Sequence, residues 1–165
     1  ENIKNFFFFF FQSVLLGSGI GKVTSMSFDS LGNNLYFCDE EKLRVEVLSM
    51  STKYSLPVFR AVEGEIPQSV VAVPDHEVIF IAVTKKEGSV FIKRTNMDGT
   101  QVIPHMTGTK IVGPKVVLSY DRKIEKVFWF DSGREVIEFM NVRNFSYIYI
   151  HMSFPKFFLL FLSFS

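Results

Sequence analysis

Short apolar segments alternate with polar turns along the middle of the chain, and none of them has the long 3.6-residue period of a capped amphipathic helix. Residues 70–73 and 116–120 are apolar runs rich in β-branched side chains, each bounded by Pro or Gly-Pro. Such runs are typical of buried strands. The pattern predicts an all-β fold, and a β-sandwich is one arrangement that this number of short strands could form.

Three segments repeat one order of elements: an Asp-containing turn, an aromatic-rich strand, a charged turn and a second alternating strand. Equivalent aromatic positions lie 44 and 48 residues apart, and equivalent aliphatic positions lie 47 and 45 apart. A period in the mid-forties with several short strands per unit is typical of propeller blades and favours them over the sandwich. The aromatic positions are Tyr36, Phe80 and Phe128, and the aliphatic ones are Val45, Ile92 and Ile137.

Each repeat also carries part of one longer motif. The first has Tyr36, Phe37 and Asp39, the second has Phe80 and a later Asp98-Gly99, and the third has Phe128, Trp129 and Asp131. These residues resemble the class B, or Tyr-Trp-Thr-Asp, repeats of the low-density lipoprotein receptor family. Blades of that family read aromatic-Trp-Thr-Asp, then a Gly-bearing turn, then Ile-Glu-Arg-Ala-Asn-Leu-Asp-Gly.

The resemblance implies a partial six-bladed β-propeller, of which the chain covers about two and a half blades. It implies the extracellular part of an endocytic receptor for lipoprotein or yolk protein (vitellogenin), beside cysteine-rich ligand-binding modules and growth-factor (EGF)-like modules. Such a propeller is a non-enzymatic platform that binds protein ligands and assists their release. A secreted matrix or adhesion protein of the nidogen type is the alternative that the sequence leaves open.

An incomplete ring exposes a blade face and a strand edge, which closed propellers largely avoid. We therefore expect residues 13–141 to be poorly soluble and not to fold as an isolated monomer.

The charge and cysteine content exclude several classes of function. Eighteen basic and 17 acidic residues give a net charge of +1, which provides no general attraction for nucleic acid or an anionic membrane. Any membrane association would then come through the parent protein. The single cysteine excludes a disulfide framework within the chain. No Ser/His/Asp arrangement or paired metal-ligand spacing appears, so the sequence predicts neither an enzyme nor a cofactor.

The two ends of the chain differ from its middle. Of the 20 phenylalanines, six form the unbroken run 6–11 and six more fall within 145–164. We interpret segments 1–12 and 142–165 as translated intron around one exon, because Phe codons are pyrimidine-rich, as intron ends are, and Val142-Arg143 can be encoded by a splice-donor sequence. A signal-like segment at 1–12 and a native hydrophobic tail at 142–165 are the alternatives. The propeller is thus predicted at 13–141, and the glycosylation sequon at Asn144 lies beyond it.

The remaining candidates for chemistry are a few isolated polar residues. We interpret Asp39 and Asp131 as acceptors for turn donors rather than as acid/base or calcium-binding groups. Cys38, in a predicted strand without a cationic neighbour, is predicted to be a buried and inert thiol. His76 in a predicted turn and His105 in a predicted loop are candidates for pH sensing, because imidazole titrates near neutral pH and the resemblance implies ligand release in acidic endosomes.

Overall fold

The computed structural model describes residues 14–105, 111, 113, 115–144 and 147–149. The segment 1–12, which the sequence set apart, lies outside the described residues. So does segment 142–165, except for residues 142–144 and 147–149. The assignment of these two segments as non-native stays a prediction.

The described residues form three antiparallel sheets of four strands each, with the strands of every sheet in chain order. Each sheet is a blade, and the only helical element among these residues is a single 3₁₀ turn at Pro74–His76. Blade 1 contains β1 (Val23–Asp29), β2 (Asn34–Asp39), β3 (Arg44–Ser49) and β4 (Ser55–Arg60). Blade 2 contains β5 (Glu65–Val73), β6 (Val78–Lys85), β7 (Val90–Asn96) and β8 (Ile103–His105). Blade 3 contains β9 (Val116–Asp121), β10 (Lys126–Asp131), β11 (Val136–Asn141) and β12 (Tyr147–Tyr149).

The blades are arranged as sectors around their first strands, since β1 contacts β5 and β5 contacts β9. This is a partial β-propeller and not a sandwich, which confirms the fold that the repeat period predicted. The sequence repeat ends at Asn141. The structure adds the three-residue strand β12 to the outer edge of blade 3.

The predicted register of the repeat is also present. Tyr36, Phe80 and Phe128 are each the third residue of the second strand of their blade. The turn before each of these strands ends on a residue with a left-handed backbone: Asn33 with φ 53°, Glu77 with φ 55° and Glu125 with φ 52°. The three turns therefore share one geometry although their sequences differ.

Aspartates start two of these turns, as the sequence indicated. Asp29 Oδ1 accepts hydrogen bonds from the N–H groups of Leu31 and Gly32, both at 2.9 Å. Asp121 Oδ1 accepts one from Lys123 N–H, also at 2.9 Å. A short carboxylate at this place satisfies turn N–H groups that the sheet ladder cannot reach.

The hydrophobic core lies between the blades, not within any one of them. In the first interface, buried side chains of blades 1 and 2 meet, and in the second those of blades 2 and 3 meet; burial of each large side chain contributes about 1.5–3 kcal/mol. The first interface contains Tyr36, Cys38, Val45, Val58, Phe59, Val70, Ala72, Ile79, Ile81 and Val83. The second contains Val71, Val73, Val78, Phe80, Ala82, Val90, Ile92, Ile111, Val116, Leu118, Val127, Trp129, Met140 and Val142.

Candidate functional site

The aspartate that ends the second strand accepts backbone hydrogen bonds in blades 1 and 3. Asp39 Oδ2 accepts from Gly21 N–H at 2.7 Å, and Oδ1 accepts from Lys42 N–H at 3.0 Å. Asp131 Oδ1 accepts from Gly113 N–H at 2.8 Å. A Cβ on Gly21 would lie 2.6 Å from Asp39 Oδ1, and one on Gly113 would lie 2.8 Å from Asp131 Oδ1, so the approach requires glycine. Both carboxylates are fully buried and tie the start of a blade to the end of its second strand.

Two opposing effects act on the pKa of Asp39. Burial raises it, whereas the hydrogen bonds from Gly21 and Lys42 and the charges of Lys42 and Arg44 lower it, and the lowering effects prevail. The carboxyl therefore stays ionised in the folded protein at neutral pH, as an acceptor must.

In blade 3 the motif extends into a buried polar network. The Trp129 indole N–H donates to Glu138 Oε2 at 2.7 Å, and the other Glu138 oxygen accepts from Arg134 at 2.7 Å. Arg134 Nε donates to Asp131 Oδ2, also at 2.7 Å. The second and third strands of the blade are thus joined through four side chains, of which only Arg134 is partly exposed.

Blade 1 contains a reduced version of this network. Phe37 occupies the position of the tryptophan and is paired across the strands with Glu46, as Trp129 is with Glu138. A phenyl ring has no N–H, and Glu46 is bound instead by Arg44 Nε at 2.7 Å from the same strand. Blade 1 therefore retains the buried glutamate of blade 3, but an arginine replaces the tryptophan as its hydrogen-bond donor.

In blade 2 the carboxylate lies at the start of the blade instead of at the end of the second strand. Val83 stands where the other blades have aspartate, and Glu65, 18 residues earlier, stands where blade 1 has Gly21. The third-strand position opposite Ile81 is Lys93 instead of glutamate. Its ammonium lies 2.7 and 2.6 Å from the two carboxylate oxygens of Glu65, and both side chains are nearly buried. The ion pair replaces the motif that blade 2 has lost.

The sequence did not indicate these buried charges. Glu46, Lys93 and Glu138 lie 47 and 45 residues apart, the same spacings as the aliphatic positions one residue earlier. The repeat period could have identified them as equivalent, but not as buried.

Two further motif residues connect neighbouring blades. The Tyr36 hydroxyl donates to the Met97 carbonyl of blade 2 at 3.3 Å. Burial, with the charges of Asp29 and Asp98, raises the pKa of Tyr36 to about 12. Gly99, with φ 87°, packs so closely on blade 1 that a Cβ would lie 2.3 Å from the Val58 carbonyl oxygen. The Asp98-Gly99 turn of blade 2 therefore packs directly against the outer strand of blade 1.

Serines on the first strands accept backbone hydrogen bonds from the next blade. The N–H groups of Val70 and Ala72 donate to Ser25 Oγ at 3.1 Å and Ser27 Oγ at 2.9 Å, and Leu118 N–H donates to Ser69 Oγ at 3.0 Å. A cavity of about 370 Å³ opens between these strands. This is the surface that would face the centre of a complete ring.

An ion pair joins the turns of blades 2 and 3 at one end of the blades. Arg122 lies 2.6 Å from Asp75, whereas Glu125 is paired with Arg143 within blade 3. His76 Nε2 lies 3.6 Å from Glu125 Oε1, and this nitrogen is buried without a hydrogen-bond partner in the part of the chain that the structure describes.

The other candidate residues from the sequence do not take part in the contact between His76 and Glu125. His105 lies in β8, where its backbone pairs with Ile92, and not in the predicted loop. Val102-Ile103, after the Asp98-Gly99 turn, indicate a hairpin, and the structure extends its second strand to His105. Asn144 is exposed in the turn after β11. Cys38 is buried in the first interface, and desolvation raises the pKa of its thiol.

Among the described residues, no three His, Cys, Asp or Glu side chains converge to hold a metal ion. None of the elements described is a helix of sufficient length and apolarity to cross a bilayer.

Comparison with known proteins shows which of them are similar to this chain. The chain is 27% identical over 132 residues to the vitellogenin receptor Yl of Drosophila melanogaster, an overlap of 80% of the chain and 7% of that receptor. It is 25% identical over 109 residues to the vitellogenin receptor of Solenopsis invicta, which covers 64% of the chain and 6% of that receptor. The chain carries the class B repeats of the low-density lipoprotein receptor family. No family model matches it.

The class B repeats of this chain share their fold with a solved propeller. A chain in the crystal structure of a nidogen/laminin complex matches with a TM-score of 0.66 and 20% sequence identity, over 78% of this chain and 48% of that chain. The chain thus spans a small part of the receptors and about half of a propeller of known structure.

Proposed function

We propose that this chain is part of the extracellular propeller of an endocytic receptor for yolk protein or lipoprotein. Its role is to bind protein and to assist ligand release inside the cell, without catalysis. Neighbouring EGF-like modules of the parent receptor pack against the propeller, and the parent receptor supplies the membrane anchor. The observation that carries the proposal is the identity with two vitellogenin receptors across class B repeats that keep one register.

His76 is the candidate for the release step, because a carboxylate faces it across two blades. Protonation would turn the 3.6 Å contact with Glu125 into an ion pair, and imidazole is the side chain that titrates between extracellular and endosomal pH. The new charge would compete with Arg143 for Glu125 and would lie beside the Asp75–Arg122 pair. Acidification would therefore rearrange the turns that join blades 2 and 3. The Tyr120 hydroxyl, buried nearby, has its pKa raised by desolvation and by Asp75 and Glu125, so it stays neutral throughout this range.

Binding of purified vitellogenin to the immobilised chain, at about pH 7 and about pH 5.5, tests both the receptor role and the release role of His76. We expect binding at the higher pH and faster dissociation at the lower one. His76→Gln should abolish the acceleration. His105→Gln, which alters the other histidine candidate, should retain it. A folded chain that binds no vitellogenin at the higher pH contradicts the receptor role. Equal acceleration in wild type and His76→Gln contradicts the release role only.

A matrix or adhesion protein is the second candidate, supported by the fold match to the nidogen chain. The spliced transcript distinguishes the two. Clustered six-cysteine modules and a downstream membrane span in the same message would support the receptor, and their absence would favour the matrix protein. The same transcript tests whether the codons for segments 1–12 and 142–165 belong to the mature message.

A further inference from the structure

Serine hydroxyls join the first strands of neighbouring blades, and their pattern is incomplete between blades 2 and 3. Two serines of blade 1 accept N–H groups of blade 2, whereas among the described residues only Ser69 of blade 2 accepts an N–H group of blade 3 in this way. The residue that corresponds by strand register to Ser27, the second serine of blade 1, is Val71. A valine side chain has no acceptor, so one of the hydrogen bonds that join blades 1 and 2 has no counterpart in the second interface.

The N–H group that faces Val71 is that of Tyr120, because Tyr120 corresponds by register to Ala72 of blade 2. Leu118 N–H points away from β10 and towards blade 2. Hydrogen-bond directions alternate along an antiparallel strand, so the Tyr120 N–H, two residues later, points to the same side. It meets an apolar side chain there instead of a serine hydroxyl.

Two polar side-chain atoms of the second interface are in a similar situation. The Tyr120 hydroxyl and His76 Nε2 are both buried, and neither has a hydrogen-bond partner among the described residues. In the first interface, by contrast, the Tyr36 hydroxyl donates to the Met97 carbonyl at 3.3 Å. Buried polar atoms are nearly always hydrogen-bonded, either to protein or to ordered water. The second interface therefore needs hydrogen-bond partners that these residues do not supply.

The space beside these groups suits water better than an ion. A cavity of about 370 Å³ is lined by Val71 and Tyr120, and a water molecule occupies about 30 Å³ in the liquid. Arg122 also lines the cavity, but its charge is compensated by Asp75 at 2.6 Å. A neutral molecule enters such a site without the cost of an unpaired charge. All four strands of both blades lie within the described residues, so the site needs no further blade.

We propose that an ordered water molecule links blades 2 and 3 in place of the missing serine hydroxyl, accepting the Tyr120 N–H and donating to the Tyr120 carbonyl. Ser25 shows that one oxygen can do both. Its Oγ accepts the Val70 N–H at 3.1 Å and donates to the Val70 carbonyl at 3.4 Å. Water has the same two capacities, and the N–H and C=O of one residue point to the same side of an antiparallel strand. The second interface is thus hydrated where the first is closed by serine.

Val71→Thr tests the proposal, because threonine has nearly the shape of valine and adds a hydroxyl at the place where Ser27 has one. Amide hydrogen exchange of the full chain, followed by NMR, is the measurement. We expect the Tyr120 amide to exchange at least ~5-fold more slowly in the variant, which is the effect of one net hydrogen bond. A magnetisation-transfer signal between bound water and the Tyr120 amide should be present in the wild type and lost in the variant.

Val127→Thr is the matched control. Val127 is fully buried in the same interface and pairs with Tyr120, but its strand β10 has a neighbouring strand on both sides. The control should leave Tyr120 exchange as fast as in the wild type or make it faster.

Equal Tyr120 exchange in the wild type and Val71→Thr, or a wild type without the water signal, would overturn the proposal. If Val71→Thr does not fold, Val71→Ser takes its place; failure of both while Val127→Thr folds would overturn it as well, because a hydroxyl opposite a matching donor should be accommodated. The water signal of the wild type decides if the control also fails. If the wild-type chain aggregates, the same exchange comparison is made by mass spectrometry in the longer polypeptide that contains it.

Discussion

Replacing Trp129 by Phe converts the blade 3 motif into that of blade 1, where Phe37 occupies the equivalent position. The change removes the indole N–H that donates to Glu138 Oε2 at 2.7 Å, while Arg134 still binds the other carboxylate oxygen. Blade 1 tolerates phenylalanine there because its glutamate has an arginine in the same strand. The corresponding position of blade 3 is Val136, which has no donor group to replace the indole N–H.

The expected loss of stability follows from two contributions. A hydrogen bond to a buried charged group is worth about 1.5–3 kcal/mol, and Glu138 is fully buried. The smaller ring adds about 1–2 kcal/mol for lost contacts in the second interface. Trp129→Phe should therefore lower the free energy of unfolding by about 2.5–5 kcal/mol.

A double-mutant cycle separates the hydrogen bond from the packing contribution. Glu138→Met keeps the approximate volume and removes the acceptor, and the cycle of Trp129→Phe with Glu138→Met should give a coupling energy of about 1.5–3 kcal/mol. Urea unfolding followed by far-UV circular dichroism is the suitable assay, because Trp129 is the single tryptophan and its fluorescence disappears with it.

The control cycle pairs Trp129→Phe with Glu46→Met in blade 1. Blade 2 separates these residues, so their effects should add to within about 0.5 kcal/mol. A Trp129–Glu138 coupling no larger than that of the control would refute the assignment of the indole–carboxylate bond as a stabilising element of the repeat.

Three further predictions address other buried groups. The Cys38 thiol should react with a thiol reagent only as fast as the chain unfolds, because it is buried with a raised pKa; fast labelling of the native protein in a colorimetric assay would disagree. The folded pKa of Asp39 lies below its ordinary value of 3.8, so its stabilisation is present above about pH 4 and is lost as pH falls through the folded pKa; melting temperature against pH should be flatter there for Asp39→Asn. Lys93→Ala should cost about 3–5 kcal/mol by leaving Glu65 buried without its cation, whereas Lys22→Ala, at a largely exposed pair, should cost under about 1 kcal/mol in the same urea titration.

The sequence was sufficient for the fold because the repeat period is a local property. Tyr36, Phe80 and Phe128 could be aligned by spacing, and the structure places all three at the third position of equivalent strands. Alternating apolar positions then predicted strands without any knowledge of their partners. The burial of Cys38 followed for the same reason.

The partners between blades could not be predicted in this way. Tyr36 donates to Met97, which lies 61 residues away, and Ser27 accepts from Ala72, which lies 45 away. Such contacts depend on how two blades are rotated against each other, which strand patterns do not contain. The extension of the hairpin strand from Ile103 to His105 was missed because three residues show no measurable alternation.

The buried charges show why a degenerate motif still forms a blade. In blades 1 and 3 an aspartate attaches the start of the blade to the end of its second strand by accepting a glycine N–H, whereas in blade 2 the start of the blade is attached to the third strand through Glu65 and Lys93. In blade 2 the carboxylate has moved to the other partner, as Glu65, while Val83 has become apolar and Lys93 supplies the donor. What the fold requires there is one buried acceptor with a matched donor, not aspartate at a fixed place. Because the three positions must change together, restoring aspartate at position 83 alone should destabilise blade 2: it would bury a second carboxylate near Glu65 with one lysine to neutralise both.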